Sequence, residues 1–253
     1  MSTHDGMTPA SPAEREAWAA ARAALASTVA DPALSALPAA LQRICRAVTT
    51  SLSLTGAVIQ LLSDADRAVV LASSSAASQR LGEVPFTIGE GPSVDAFASA
   101  RPVLAPNLMG EGQSQWPGYV SVMSDHGVGA VYAFPLHVGA VRLGVLELYD
   151  GQVRRLSSIE LSLALVFAEA ATDCLVDPPT GSSVALLEDL TLGVMDRRVE
   201  IHQAQGMVTV DLGVNLVEAL ALMRAHAFSR DLTLLELSRM ILAGERLPTP
   251  EGA

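Results

Sequence analysis

Strand-forming runs enclosed between helical stripes restrict this chain more than any other feature. Ala57–Leu62 and Ala68–Ala72 are short apolar runs separated by Ser63-Asp64-Ala65-Asp66-Arg67, and they read as a hairpin with an acidic turn. Pro102–Leu104, Gly129–Phe134 and Val141–Tyr149 read as three further strands, the last two joined through Pro135–Ala140. Before the strands, Leu37, Leu41, Ile44, Val48 and Leu52 recur at three- and four-residue steps, the signature of an amphipathic helix. After them, Ser157 or Ser158 caps a helix carrying Leu161, Leu165, Ala168 and Cys174. Helix, two strands, helical middle, three strands and closing helix predict an α+β layer, with helices on one face of an antiparallel sheet.

The totals narrow the class of function. A chain of 253 residues is long enough for one or two domains. Its net charge of −11 argues against a general nucleic-acid coat, because phosphate contacts need basic surface. Every basic residue is Arg, and from Arg197 onward six Arg face seven carboxylates, so the acidity sits upstream. The two cysteines, Cys45 and Cys174, are far apart and read as isolated thiols in a reducing compartment. No apolar run reaches the length of a membrane span, and Met1–Gly6 has neither a basic nor an apolar signal region. A cytoplasmic location is the expectation.

Both ends are helical by pattern. Residues 1–33 read as a flexible leader with one helix, opened by Ser11-Pro12-Ala13-Glu14 and ended by Asp31-Pro32. Residues 34–176 form the strand-containing domain. Residues 177–196 begin with the Pro/Gly/Ser linker Asp177–Ser183 and continue as a connector helix from about Val184. Along that helix Leu187, Leu190, Val194, Arg197, Ile201, Ala204 and Val208 form a seam of about three heptads. It predicts a parallel homodimer, set against a helix that packs only on its own chain. The seam runs into residues 197–246, where Ile201–Val208 closes at the turn Asp211-Leu212-Gly213. Asn215 with Glu218, and Thr233 with Glu236, have the spacing of two capping boxes. Leu220, Met223, Ala227 and Phe228 give the second helix its apolar stripe, and Leu234, Leu237, Ile241 and Leu242 give one to the third. Residues 247–253 read as a disordered tail.

This C-terminal pattern resembles an ANTAR domain, the three-helix RNA-binding output module of bacterial transcription antiterminators. The resemblance implies recognition of paired RNA hairpins, one per subunit, with looped-out bases as the readable element. Ala204 and Gly206 match the small residues of the Ala-Lys-Gly signature, where helices approach closely, and Gln205 replaces its Lys. Ala219 and Ala227 match small residues of the second helix. The expected RNA-binding residues are Arg198, His202, Gln205, Arg224, His226, Arg230 and Arg239.

A second resemblance covers residues 35–176. Phe86–Phe97, Arg101–Leu108, Trp116-Pro117-Gly118-Tyr119 and Phe134–Leu146 are similar, in order and spacing, to the GAF domains that precede ANTAR domains in actinobacterial regulators. It implies a GAF-like antiparallel sheet flanked by helices, followed by the all-α bundle. It also implies a small-molecule pocket between sheet and helical middle, for which Trp116, Tyr119, Tyr132, Phe134 and Glu147 are the candidate lining. The alternative is that these aromatics are plain core. Gly89-Glu90-Gly91-Pro92 reads as a turn introducing a helix, since it lacks the Lys-Ser/Thr ending of a phosphate loop. No cofactor follows from the sequence: the cyclic-nucleotide signature and a tetrapyrrole-anchoring Cys are missing, and His126 and His137 are the candidates for haem. With no G-x-S-x-G and no H-E-x-x-H, catalysis is not expected. The function implied is an antitermination regulator in which a GAF sensor controls RNA binding. The alternative is a dimeric interaction protein whose output bundle no longer binds RNA.

Overall fold

A computed structural model describes residues 12–63, 67–177, 200–230 and 232–248. Five strands form one antiparallel sheet in the order β2-β1-β5-β4-β3. They are β1 (Gly56–Ser63), β2 (Arg67–Ser73), β3 (Val103–Ala105), β4 (Ala130–Val138) and β5 (Val141–Asp150). The central pair explains the layering. β5 is buried from Gly144 to Asp150 and β4 from Ala130 to Phe134, so both faces of these strands need cover. Helices therefore lie on both faces of the sheet, not on one.

The first cover is α1 (Pro12–Ser27), α2 (Ala36–Ser51) and α7 (Ser158–Val176). Leu37, Leu41, Ile44 and Val48 of α2 meet Ile59, Tyr132, Phe134, Leu146, Leu148 and Phe167 in one core. The leader helix α1 belongs to this core, with Ala17 and Ala21 buried in it, because its alanines let α1 lie close on α7. The second cover is α3 (Ala76–Ile88), α4 (Pro92–Ser99), α5 (Leu108–Glu111) and α6 (Pro117–Asp125). Gly89 ends α3 at φ 85°, Gly91 caps α4 and Pro92 occupies its first turn, as the Gly-Glu-Gly-Pro spacing predicts.

One boundary differs from the sequence reading. β4 runs through Pro135 to Val138, and the turn is only Gly139-Ala140. β3 covers only Val131–Ala133 of β4, so Pro135 sits where that edge of the strand is open.

The C-terminal region contains α8 (Glu200–Leu212), α9 (Leu216–Ser229) and α10 (Leu234–Leu242), with α8 and α9 bent by 103°. Both capping boxes form: Asn215 with Glu218, and Thr233 with Glu236. Ala204, Val208, Ala219, Met223, Ala227, Leu234, Leu237 and Ile241 make the core. Phe228 departs from its expected stripe and is half exposed. Leu247, assigned to the disordered tail by sequence, is buried against the same core. The connector residues Leu187, Leu190, Val194 and Arg197 lie outside the described residues. Ala204 and Val208, the continuation of that seam, are buried against helices of their own chain. Among the described residues, no single helix is long and apolar enough to cross a membrane.

Candidate functional site

The polar centre of the sheet is Glu147. Because side chains alternate along a strand, Glu147 and Tyr149 of β5 point away from the α2–α7 layer, beside Val58 and Gly56 of β1. A bulge between Ile59 and Gln60 in the β1–β2 ladder accompanies the turn of Gln60 toward the same place. Gln60 Nε2 donates to Glu147 Oε2 at 2.9 Å, and the Tyr149 hydroxyl donates to the same oxygen at 2.9 Å. The Tyr119 hydroxyl, from α6, donates to Oε1 at 3.2 Å. Ser93 of α4 lies against the carboxylate without a well-formed hydrogen bond. Gln60, Ser93, Tyr119, Glu147 and Tyr149 are all fully buried.

Burial drives the electrostatics. It pushes Glu147 from its ordinary 4.5 up to about 7, against the donors Tyr149 and Tyr119, the nearby Ser93 and Gln60. The two phenols are raised well above their usual range, first by burial and then by the neighbouring carboxylate. Gln60 Oε1 and Ser93 Oγ are buried with no hydrogen-bond partner. The cluster thus combines a carboxyl group poised between charge states with two unsatisfied polar atoms. Gln60 Oε1 can accept a further hydrogen bond there, and Ser93 Oγ can accept or donate one.

The five expected pocket residues divide. Tyr119 and Glu147 meet directly, and Trp116 stands beside them as the N-cap residue of α6, its Nε1 donating to Asp95 at 3.0 Å. Tyr132 and Phe134 are on the other face, in the core with α2 and α7, because β4 pairs them with Leu148 and Leu146 rather than with Glu147. The Tyr132 hydroxyl donates to the Arg154 carbonyl there. For these two aromatics the plain-core reading holds. The sequence reading missed Gln60, Ser93 and Tyr149. A signal was present: Gln60 and Glu147 are single polar residues inside apolar strands, and a buried polar residue needs a partner.

The expected RNA-binding residues are spread over several separate contacts. Arg224 leaves α9 toward the end of α3, with its guanidinium 5.9 Å from the Phe86 ring centroid. Arg230 is ion-paired with Glu245, and Arg239 with Glu200 at 2.7 Å. His202 is exposed on α8 and its Nδ1 meets Gln205 at 3.1 Å; His226 is in the last turn of α9. Arg198 lies outside the described residues. Gln205 requires a correction as a base contact. It is buried, and its Nε2 donates at 2.7 Å to the Leu216 carbonyl, so its amide ties α8 to the first turn of α9. Gly206 also departs from expectation: a Cβ there would meet open space, and only Ala204 of the pair is at a close approach. His126 and His137, the haem candidates, are both exposed and lie on different elements. Among the described residues no group of three or more His, Cys, Asp or Glu is placed to hold a metal ion.

The sheet and its two helical covers define a sensor-type α+β domain. The GAF domain family model matches residues 35–176, and the chain belongs to that family. Among solved structures, the chain is similar to the GAF domain of a phosphoenolpyruvate-protein phosphotransferase from Coxiella burnetii. There the identity is 12%, the TM-score 0.49, and the match covers 68% of this chain and 99% of that one. The GAF domain of the Acinetobacter phosphotransferase matches at 14% identity and TM-score 0.44, over 66% of this chain and 95% of its own. A bacteriophytochrome from R. palustris matches at 14% and 0.47, over 87% of this chain but only 47% of that chain. No curated protein matches the sequence.

Proposed function

We propose that this protein is a transcription antitermination regulator, in which the GAF domain senses a small polar ligand and an ANTAR-type bundle binds paired RNA hairpins. It works by binding alone, without catalysis. The observation that carries the reading is the C-terminal bundle. Two capping boxes and the buried alanines 204, 219 and 227 fall where the ANTAR resemblance requires helix starts and close helix approaches. Like Arg246 beside Asp211, Arg230 and Arg239 are accessible cations on the bundle. Their pairs with Glu245 and Glu200 are solvent-facing, and such pairs hold by about 0–1 kcal/mol, so an RNA phosphate displaces the carboxylate at little cost.

The sensor half rests on the Glu147 cluster, whose unsatisfied Gln60 and Ser93 atoms suit a ligand bearing N–H or O–H donors. The homodimer expected from the heptad seam rests on Leu187, Leu190 and Val194, since Ala204 and Val208 are covered within the chain.

Filter binding of the full chain to twin-hairpin leader RNAs across a salt series tests the reading. Affinity should fall steeply with salt, and Arg230→Ala plus Arg239→Ala should lower both the affinity and the salt slope, by about two contacts. A second reading, an interaction protein with a bundle that no longer binds RNA, is favoured by buried Gln205 where the signature has Lys. Dimers that retain no RNA even at low salt would establish that reading instead.

A further inference from the structure

We infer that the Gly89–Gly91 turn couples the buried Glu147 cluster to the C-terminal bundle: it seats Arg224 of α9 on the sensor domain while Tyr119 holds Glu147, and unseats it when that hold is broken. The inference stands whatever the bundle binds.

The turn is in van der Waals contact on both sides. On the bundle side, the Arg224 guanidinium lies on Gly89 so closely that a Cβ there would be 3.0 Å from Nη1 and 3.2 Å from Cζ. The same side chain lies over Phe86, whose ring packs into the bundle core. On the sheet side, a Cβ on Gly91 would be 3.0 Å from the Tyr119 ring. Between the two glycines, Glu90 Oε1 accepts from the backbone N–H of Gly118 at 2.7 Å and of Tyr119 at 3.2 Å. Glu90 therefore fixes the first turn of α6, and Tyr119 in that turn reaches Glu147. Three consecutive residues touch the sensor's polar centre on one side and the output helix on the other.

The turn transmits displacement because it is tight and glycine-dependent. Gly89 at φ 85° and Gly91 at φ 143° occupy backbone regions that side-chain-bearing residues disfavour. Neither can shift without meeting Arg224 or the Tyr119 ring.

The seam is built to part. Besides the contact of Arg224 with Phe86, the Leu234 N–H reaches Thr87 Oγ1 across it at a long 3.4 Å. Two cavities open along it, about 300 Å³ beside Thr87, Phe228 and Thr233, and about 310 Å³ beside Ile88, Ala225 and Phe228. Docked and released arrangements of α9 are then the two states in balance. Whatever perturbs the Tyr119–Glu147 bond biases the balance by its preference for one of them.

Amide hydrogen exchange of the full chain, without RNA, tests this. Arg224→Ala should speed exchange across residues 216–229, which calibrates undocking. Tyr119→Phe removes only the hydroxyl that reaches Glu147 and touches no residue of α9. It should speed the same amides about fivefold, the effect of one ordinary hydrogen bond, with α2 and α7 unchanged. Should Tyr119→Phe loosen the whole domain, Glu90→Ala, which removes the hold on the first turn of α6 but no hydroxyl or amide that reaches Glu147, decides by the same readout. The inference fails if Arg224→Ala accelerates α9 while both other variants leave it at the wild-type rate. It fails equally if Arg224→Ala itself changes nothing, because α9 is then not held there.

Discussion

A carboxyl group buried in the middle of a sheet ties stability to pH through its own titration. Between pH 4.5 and about 7 the unfolded chain has lost the Glu147 proton while the folded domain keeps it. The folded state therefore binds this proton more tightly, and the contribution of Glu147 to stability is fully present below 4.5 and is lost as pH rises through about 7, at roughly 1.4 kcal/mol per unit. In Glu147→Gln this slope disappears, so urea-unfolding curves of wild type and variant should diverge steadily from pH 5 to pH 7. Parallel curves would mean that the Glu147 carboxyl is not held protonated. At this scale the sequence was half legible. Glu147 and Tyr119 stand out as polar residues in apolar surroundings, and they do meet. Tyr132 and Phe134 could be placed only by strand register, since a shift of one residue changes which face a side chain occupies. Ser93 and Tyr149 join the cluster through the folding of α4 and β5 against each other, which no local pattern encodes.

Elements were more legible than contacts, because caps and periodicity are local. Asn215 and Thr233 each start a helix with the box their spacing implies, and of the two candidate serines it is Ser157 that caps α7. Pro135 did not end β4, since the end of β3 short of it, which leaves that edge open, is a tertiary fact. The junction between β5 and α7 shows what a single residue can hold. Arg154 bonds Asp150 at 2.6 Å, Glu160 at 2.7 Å and the Leu52 carbonyl at 2.8 Å, tying β5, α7 and the end of α2 together. These bonds hold Glu160 below the usual carboxylate range. Arg154→Met would leave the nearly buried Asp150 without its cation, and should lower unfolding stability by about 2 kcal/mol. Arg154→Lys should recover only part of that, because an ammonium cannot span three acceptors on different elements. Equal denaturation midpoints for all three proteins would remove the junction from any account of the fold.

For the whole molecule, charge and architecture pull in different directions. The net charge of −11 repels polyanions, so any RNA affinity must come from a few placed arginines rather than from a basic surface. The full chain should therefore ignore unrelated duplex DNA in gel-shift assays at physiological ionic strength. A measurable shift there would point to a diffuse basic surface instead. The two-part organisation was readable because strand-type and helix-type periods occupy separate stretches. The burial of Arg224 against α3 was not, since nothing in α9 distinguishes an arginine facing a neighbouring domain from one facing solvent.

The turn at Gly89–Gly91 makes few demands on what lies beneath it. There α9 meets the Phe86 ring and Gly89, and the Glu90 carboxylate fixes the turn. Receptors tuned to unrelated metabolites could thus be exchanged under an unchanged C-terminal half by recombination, with only that short splice kept constant.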